Sequence, residues 1–283
     1  MTPFQKVIKY GAIGFGVFLC INIISIMIFG VTILLGVTAG IDIINEGQTS
    51  RLEGINYSEK YTNIESLDIN VEVSKLTIKV SNEFKVEANN IHSDFYSKVE
   101  NGTLRIKENR NSPWFNFNVE MSEIKVYVPA DVKLEDIKIS TGVGKSTLEF
   151  LNAENINLEL GVGTVNIYNI YSETLKVDSG VGKLEIENAN TEKLNLTTGV
   201  GENIFKGKVT KSGKIECGIG KTEIELMGNL DDYSVKTETG LGIITIDGQK
   251  AHNEQTFGKG NAKIEVEGGV GATYINFVEE TNI

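Results

Sequence analysis

Gly142-Val143-Gly144, Gly161-Val162-Gly163, Gly180-Val181-Gly182, Gly199-Val200-Gly201 and Gly218-Ile219-Gly220 follow one another at four identical intervals. Gly240-Leu241-Gly242 and Gly269-Val270-Gly271 continue the series at wider spacing. A fixed period of about 20 residues is the signature of a solenoid, whose repeats each bury an apolar face against their neighbours.

The columns around the tripeptide supply the rung. Five residues before the first Gly stand Ile137, Ile156, Leu175, Leu194, Gly213, Val235 and Ile264, and the position three before is mostly apolar too. Six after it stand Leu148, Ile167, Ile186, Phe205, Ile224, Ile246 and Ile275. The middle residue is always aliphatic, so it too is expected to join the inward stack. Each repeat then reads as two short strands joined through Gly-x-Gly, with glycine wherever a Cβ would clash with the rung above or the backbone must bend. The fold expected is all-β, a parallel β-solenoid of rungs of about 19 residues over 134–283.

Upstream, Leu67, Ile69, Val71, Val73, Leu76 and Ile78 alternate with polar residues and align with the later columns. Glu72-Val73-Ser74 stands in for Gly-Val-Gly, as in a terminal capping rung. Residues 63–133 read as this cap with an inserted hairpin turning at Asn101-Gly102. They include a loop bearing Trp114, Phe115 and Phe117, read as a plug for the core end or an aromatic contact patch.

From Tyr10 to Ile41 there is no charged residue, a run well beyond the roughly 20 positions a spanning helix needs. Residues 10–41 are therefore expected to cross a membrane as a retained anchor. Lys6 and Lys9 precede the run and Asp42 follows it, which puts residues 1–9 in the cytoplasm and the bulk outside. Residues 42–62 read as a linker. Of the 27 basic residues two precede position 41 and all 38 acidic ones follow it, so the remainder carries 25 minus 38, a net charge of −13. Such a surface argues against a nucleic-acid partner.

On the outer face of the rungs, the position four before each first Gly is Lys-rich, and the position two before carries Glu159, Asp178, Glu216 and Glu238. Stacked carboxylates suit Ca²⁺ by donor type, but the neighbouring lysines neutralise them more simply, and no metal or cofactor is expected. Gly142-Val143-Gly144-Lys145-Ser146-Thr147 imitates a phosphate-binding loop, yet its first glycine would fall at Ile139 and a strand follows it. His92 and His252 have no partner at metal or catalytic spacing, and the chain is read as non-enzymatic. Cys20 and Cys217 fall in separate regions and read as unpaired.

The anchor, the strand-rich lead-in ending Val126-Tyr127-Val128-Pro129 and the Ile-x-Ile-x-Thr-Gly-x-Gly repeats resemble the bacterial "putative adhesin" β-strand-repeat domains over roughly 63–283. That resemblance implies a non-enzymatic surface role at the cell envelope, in some members beside envelope-stress regulators. The partners it implies are the membrane, a cell-wall polymer or an envelope protein. Self-association through the open end of the strand stack and, more remotely, carbohydrate cleavage are the alternatives.

Overall fold

The computed structural model describes residues 55–91, 94–108 and 121–279. The expected membrane span 10–41 and the loop of Trp114, Phe115 and Phe117 lie outside them. Among the described residues, no helix is long and apolar enough to cross a membrane. Apart from the 3₁₀ turn at Leu230–Asp232, the regular structure of the described residues is strand.

β1 (Ile55–Tyr61) corrects the expected linker, because residues 55–61 pair antiparallel with β3 (Phe84–Ile91). β2 (Ser66–Ser81) is the glycine-free rung. It runs parallel to β7 (Leu134–Leu148) with Leu67 opposite Ile137, Val73 opposite Val143 and Ser74 opposite Gly144. It does not end the stack. The first half of β2 pairs with β5 (Thr103–Glu108) as far as Val71 opposite Glu108. The second half pairs with β6 (Ser122–Pro129) from Ser74 opposite Ser122 onward. β4 (Tyr96–Glu100) closes a hairpin on β5, and β3 lies antiparallel on β6.

The regular rungs follow in β7, β8 (Leu151–Thr197), β9 (Val200–Glu216) and β10 (Ile219–Met227), in parallel register with like columns stacked. Ile137, Ile156, Leu175, Leu194, Val235 and Ile264, and every residue from Leu148 to Ile275 in the column six after the glycine, are buried at 3 % exposure or less. These columns form one continuous aliphatic core.

The reason for glycine is visible in the stacking direction. A Cβ on Gly161 would lie 2.1 Å from the carbonyl oxygen of Gly142, and one on Gly182 would lie 1.9 Å from that of Gly163. The side-chain direction at the bend points along the stack, into the preceding rung. Gly144, Gly163, Gly182, Gly201, Gly220 and Gly271 also take positive φ, +136° at Gly182 itself.

A second bend is turned by asparagine. Asn169 and Asn188 have φ of 52° and 56°, the left-handed region asparagine tolerates. Asn188 Nδ2 donates to Asn169 Oδ1 at 2.7 Å, and Asn169 Nδ2 donates to the Glu149 carbonyl at 3.2 Å.

The C-terminal rungs are out of chain order. After β11 (Tyr233–Glu238), β12 (Ile243–Ile246), β13 (Gln249–Lys250) and β14 (Gln255–Phe257), the chain turns back. β15 (Ala262–Glu267) inserts between β9 and β11, and β16 (Val270–Val278) inserts between β10 and β12. The Gly240-Leu241-Gly242 rung is thus outermost, with β13 and β14 antiparallel against its two strands. At both ends of the parallel stack, antiparallel strands cover edges that would otherwise template further pairing.

Candidate binding surface

The middle residues of the tripeptides do not point inward. Val143, Val162, Val181, Val200, Ile219 and Val270 are 45–53 % exposed, and Leu241 is 90 % exposed. Alternation runs inward through Leu160 and resumes inward at Val165, an odd step, so it slips once across the bend and turns the valine out. The result is an aliphatic ridge. Val143 is opposite Val162, and Val181, Val200, Ile219 and Val270 are opposite one another in turn. Leu241 ends it, its N–H donating to the Gly269 carbonyl at 3.0 Å. Bare glycine backbone flanks it on both sides.

Beneath the ridge, hydroxyls satisfy the backbone where the ladder bends. Ser179 Oγ accepts from Gly199 N at 3.3 Å, and Thr198 Oγ1 accepts from Gly218 N at 3.0 Å. Cys217 takes the equivalent position in the next rung; burial pushes its thiol pKa up, against hydrogen bonds with Thr273 and Thr222 that lower it. The imitation phosphate loop lies within β7, a strand through Lys145-Ser146-Thr147.

Of the expected acidic positions, Glu159 and Asp178 stand one repeat apart and each has a local partner. Asn157 Nδ2 donates to Glu159 Oε1 at 3.4 Å, and Lys176 Nζ meets Asp178 Oδ2 at 2.7 Å. Glu216 and Glu238 are not neighbours, because the inserted β15 places Glu267 between them. Lys214 pairs with Glu216 and reaches Glu267 at 3.3 Å, and these hydrogen bonds hold its ammonium above its ordinary pKa. Next to this row, Lys214, Glu265 and Lys236 alternate in sign. Among the described residues, no group of three or more His, Cys, Asp or Glu side chains is placed to hold a metal ion.

Beside the crossovers of the displaced rungs lies an open cleft of about 620 Å³ lined by Lys208, Asn229, Asp231, Asp232, Lys259 and Asn261. Asn229 and Asp232 cap the 3₁₀ turn reciprocally there. No single repeat of the sequence announces this cleft, since it exists only because the chain doubles back.

At the other end, Tyr57 and Tyr61 share a network with Glu59 and Ser97. Their hydroxyls lie 2.5 Å apart, and Tyr61 donates to Ser97 Oγ at 2.8 Å. Burial raises both phenol pKa values. Phe95 packs edge-on against Tyr57 with centroids 5.2 Å apart.

Several solved structures resemble this chain. One, described as a putative adhesin from Bacteroides fragilis, is 18 % identical, with 78 % of this chain and 96 % of that one covered and a TM-score of 0.46. A putative cell adhesion protein from Clostridium sporogenes is 17 % identical, with 79 % and 99 % covered and a TM-score of 0.36. A putative lipid binding protein from Parabacteroides distasonis is 18 % identical, with 79 % and 96 % covered and a TM-score of 0.40. No curated protein matches the chain. The Toastrack DUF4097 family model matches residues 64–268, most of the rung stack together with its N-terminal end, and the chain belongs to that family.

Proposed function

We propose that the protein is a non-enzymatic binding or scaffolding module, held at the cell membrane by residues 10–41 and displaying its rungs outside the cytoplasm to an envelope polymer or envelope protein. The observation that carries this reading is the outer face, on which charged side chains stand in two columns along most of the stack. Lys176 with Asp178 and Lys214 with Glu216 stand two rungs apart across the uncharged Asn195 and Thr197, and from there Lys214, Glu265 and Lys236, beside Glu216, Glu267 and Glu238, follow one another at the roughly 4.8 Å spacing of stacked strands. A linear, multiply charged partner meets equivalent groups along such a face, and many weak contacts sum to useful affinity. The uncharged run from Tyr10 to Ile41, beside Lys6 and Lys9, supports the anchored, outward-facing arrangement.

The test is retention of purified cell-wall material and envelope proteins by the immobilised full-length chain, against a variant with Lys176, Lys214 and Lys236 changed to Glu. Saturable retention weakened by that variant supports the reading. Retention of nothing, or equal retention by both, overturns it.

A further inference from the structure

We infer that the aliphatic ridge is a self-complementary contact through which two copies of this chain associate side by side, parallel and in register. The ridge presents seven exposed aliphatic side chains, Val143 through Val270 and Leu241, over about 29 Å at the spacing of stacked strands. Folding does not require them to be apolar, since they lie outside the core. Glycine backbone on either side leaves a shallow groove beside the ridge. Two such surfaces can therefore seat each ridge in the other's groove, as stacked β surfaces do in dry interfaces.

Charge decides both occupant and orientation. In each rung the chain passes from the acid-rich column, over the ridge, to a Lys-rich column three residues beyond the first glycine. A two-fold axis parallel to the stack sets the first column of each copy against the second column of the other. Rung by rung, Asp178 then meets Lys183, Glu216 meets Lys221, Ser140 meets Lys145, Glu159 meets Thr164, Thr197 meets Glu202 and Glu267 meets Ala272. No rung opposes like charges, and two rungs make ion pairs twice over. The antiparallel arrangement sets the acid-rich columns against each other, which is repulsive. Isologous contacts of this kind close as pairs instead of extending into fibres.

Lys183 and Lys221 already contact Glu185 and Glu223 at 2.9 and 2.6 Å, and Asp178 contacts Lys176; all are solvated pairs free to re-partner. A ridge and its two flanks cover about 450 Å² per copy, at the small end of specific interfaces, so the association is weak and reversible. It is independent of the envelope ligand proposed above.

The experiment uses the full-length chain in mild detergent, with Cys20→Ser to remove one thiol. Val143→Cys and Val270→Cys, each alone, are expected to form inter-chain disulfides under mild oxidation. Glu173→Cys, away from the ridge, is expected not to. Sedimentation equilibrium is expected to show Asp178→Lys weakening the pair about tenfold and Asp178→Lys with Lys183→Asp restoring it. Disulfides only when Val143→Cys and Leu241→Cys chains are mixed would prove the antiparallel arrangement and overturn the inference. A monomer at all concentrations, or a charge-swapped double variant no better than the single, would also overturn it. Loss of envelope-polymer retention with the pair intact would sink the proposed function and leave this inference standing.

Discussion

Replacing bend glycines by alanine separates the two reasons a glycine is needed. Gly161 has an ordinary φ, but a Cβ there would sit 2.1 Å from the Gly142 carbonyl oxygen and 2.7 Å from that of Thr141. Gly248 has φ of +75° and nothing within 4 Å of its Cβ position, so only the backbone conformation opposes alanine there. Gly182 combines both, with φ of +136° and a contact of 1.9 Å. The conformational penalty alone is about 1–2 kcal/mol. Relieving so short a contact requires neighbouring rungs to part, which strands roughly two inter-rung hydrogen bonds at about 1–3 kcal/mol each when buried. Gly248→Ala should therefore cost about 1 kcal/mol, Gly161→Ala about 4, and Gly182→Ala about 5 or more, against a total stability on the order of 5–15 kcal/mol. Urea unfolding followed by far-UV circular dichroism measures all three at constant slope. If Gly161→Ala costs no more than Gly248→Ala, the axial-clash explanation of the repeat is wrong.

Other consequences are open to simpler checks. Val181→Ser, on the half-exposed ridge, should change unfolding free energy by less than about 1 kcal/mol, whereas Ile186→Ala in the core should cost about 2–4; equal costs would return the ridge to the interior. Glu87 accepts from Lys85 at 2.5 Å and from Tyr127 at 2.9 Å, and these bonds hold its carboxyl below the ordinary range. A depressed folded pKa stabilises above the unfolded value and is lost as pH falls through the folded one. Glu87→Gln should therefore flatten the acid limb of the stability profile below about pH 4.3, and an unchanged limb refutes the assignment. Cys217, whose thiol is pushed up by burial, should resist alkylation at neutral pH in the folded chain and react on unfolding. Mass mapping distinguishes it from Cys20, and fast native labelling would contradict the burial.

Much of the stack is legible in the sequence because its constraints are local and periodic. The columns of Ile137 and Leu148 recur at one fixed interval, and Glu72-Val73-Ser74 aligns to them without its glycines. The ridge is misread from sequence because an aliphatic residue outside looks the same as one inside. Yet the two core columns stand eleven residues apart, an odd number, so strict alternation cannot hold across the bend. Residues 55–61 read as linker because Asn56, Ser58, Glu59 and Lys60 make a polar edge strand whose pairing with β3 comes from far along the chain. The displaced last rung is not found by spacing. The wider intervals before Gly240 and Gly269 signal irregularity, but whether the chain continues outward or turns back depends on non-local pairing. That same pairing separates Glu216 from Glu238 and creates the cleft beside Lys208.

The inward return of β15 and β16 also bears on how the molecule is made. A ribosome delivers the outermost rung before the one that attaches it to the rest, so β11 and β12 must wait with only β14 and β13 for company. The slot between Ser212–Met227 and Tyr233–Ile246 fills only when the final strands emerge. A chain that stops after Phe257 thus forfeits the attachment of everything from Tyr233 onward, not one repeat. Insertion of β15 and β16 is thus what seals the outermost rung, and products truncated before them carry an unsealed edge that proteolysis can find.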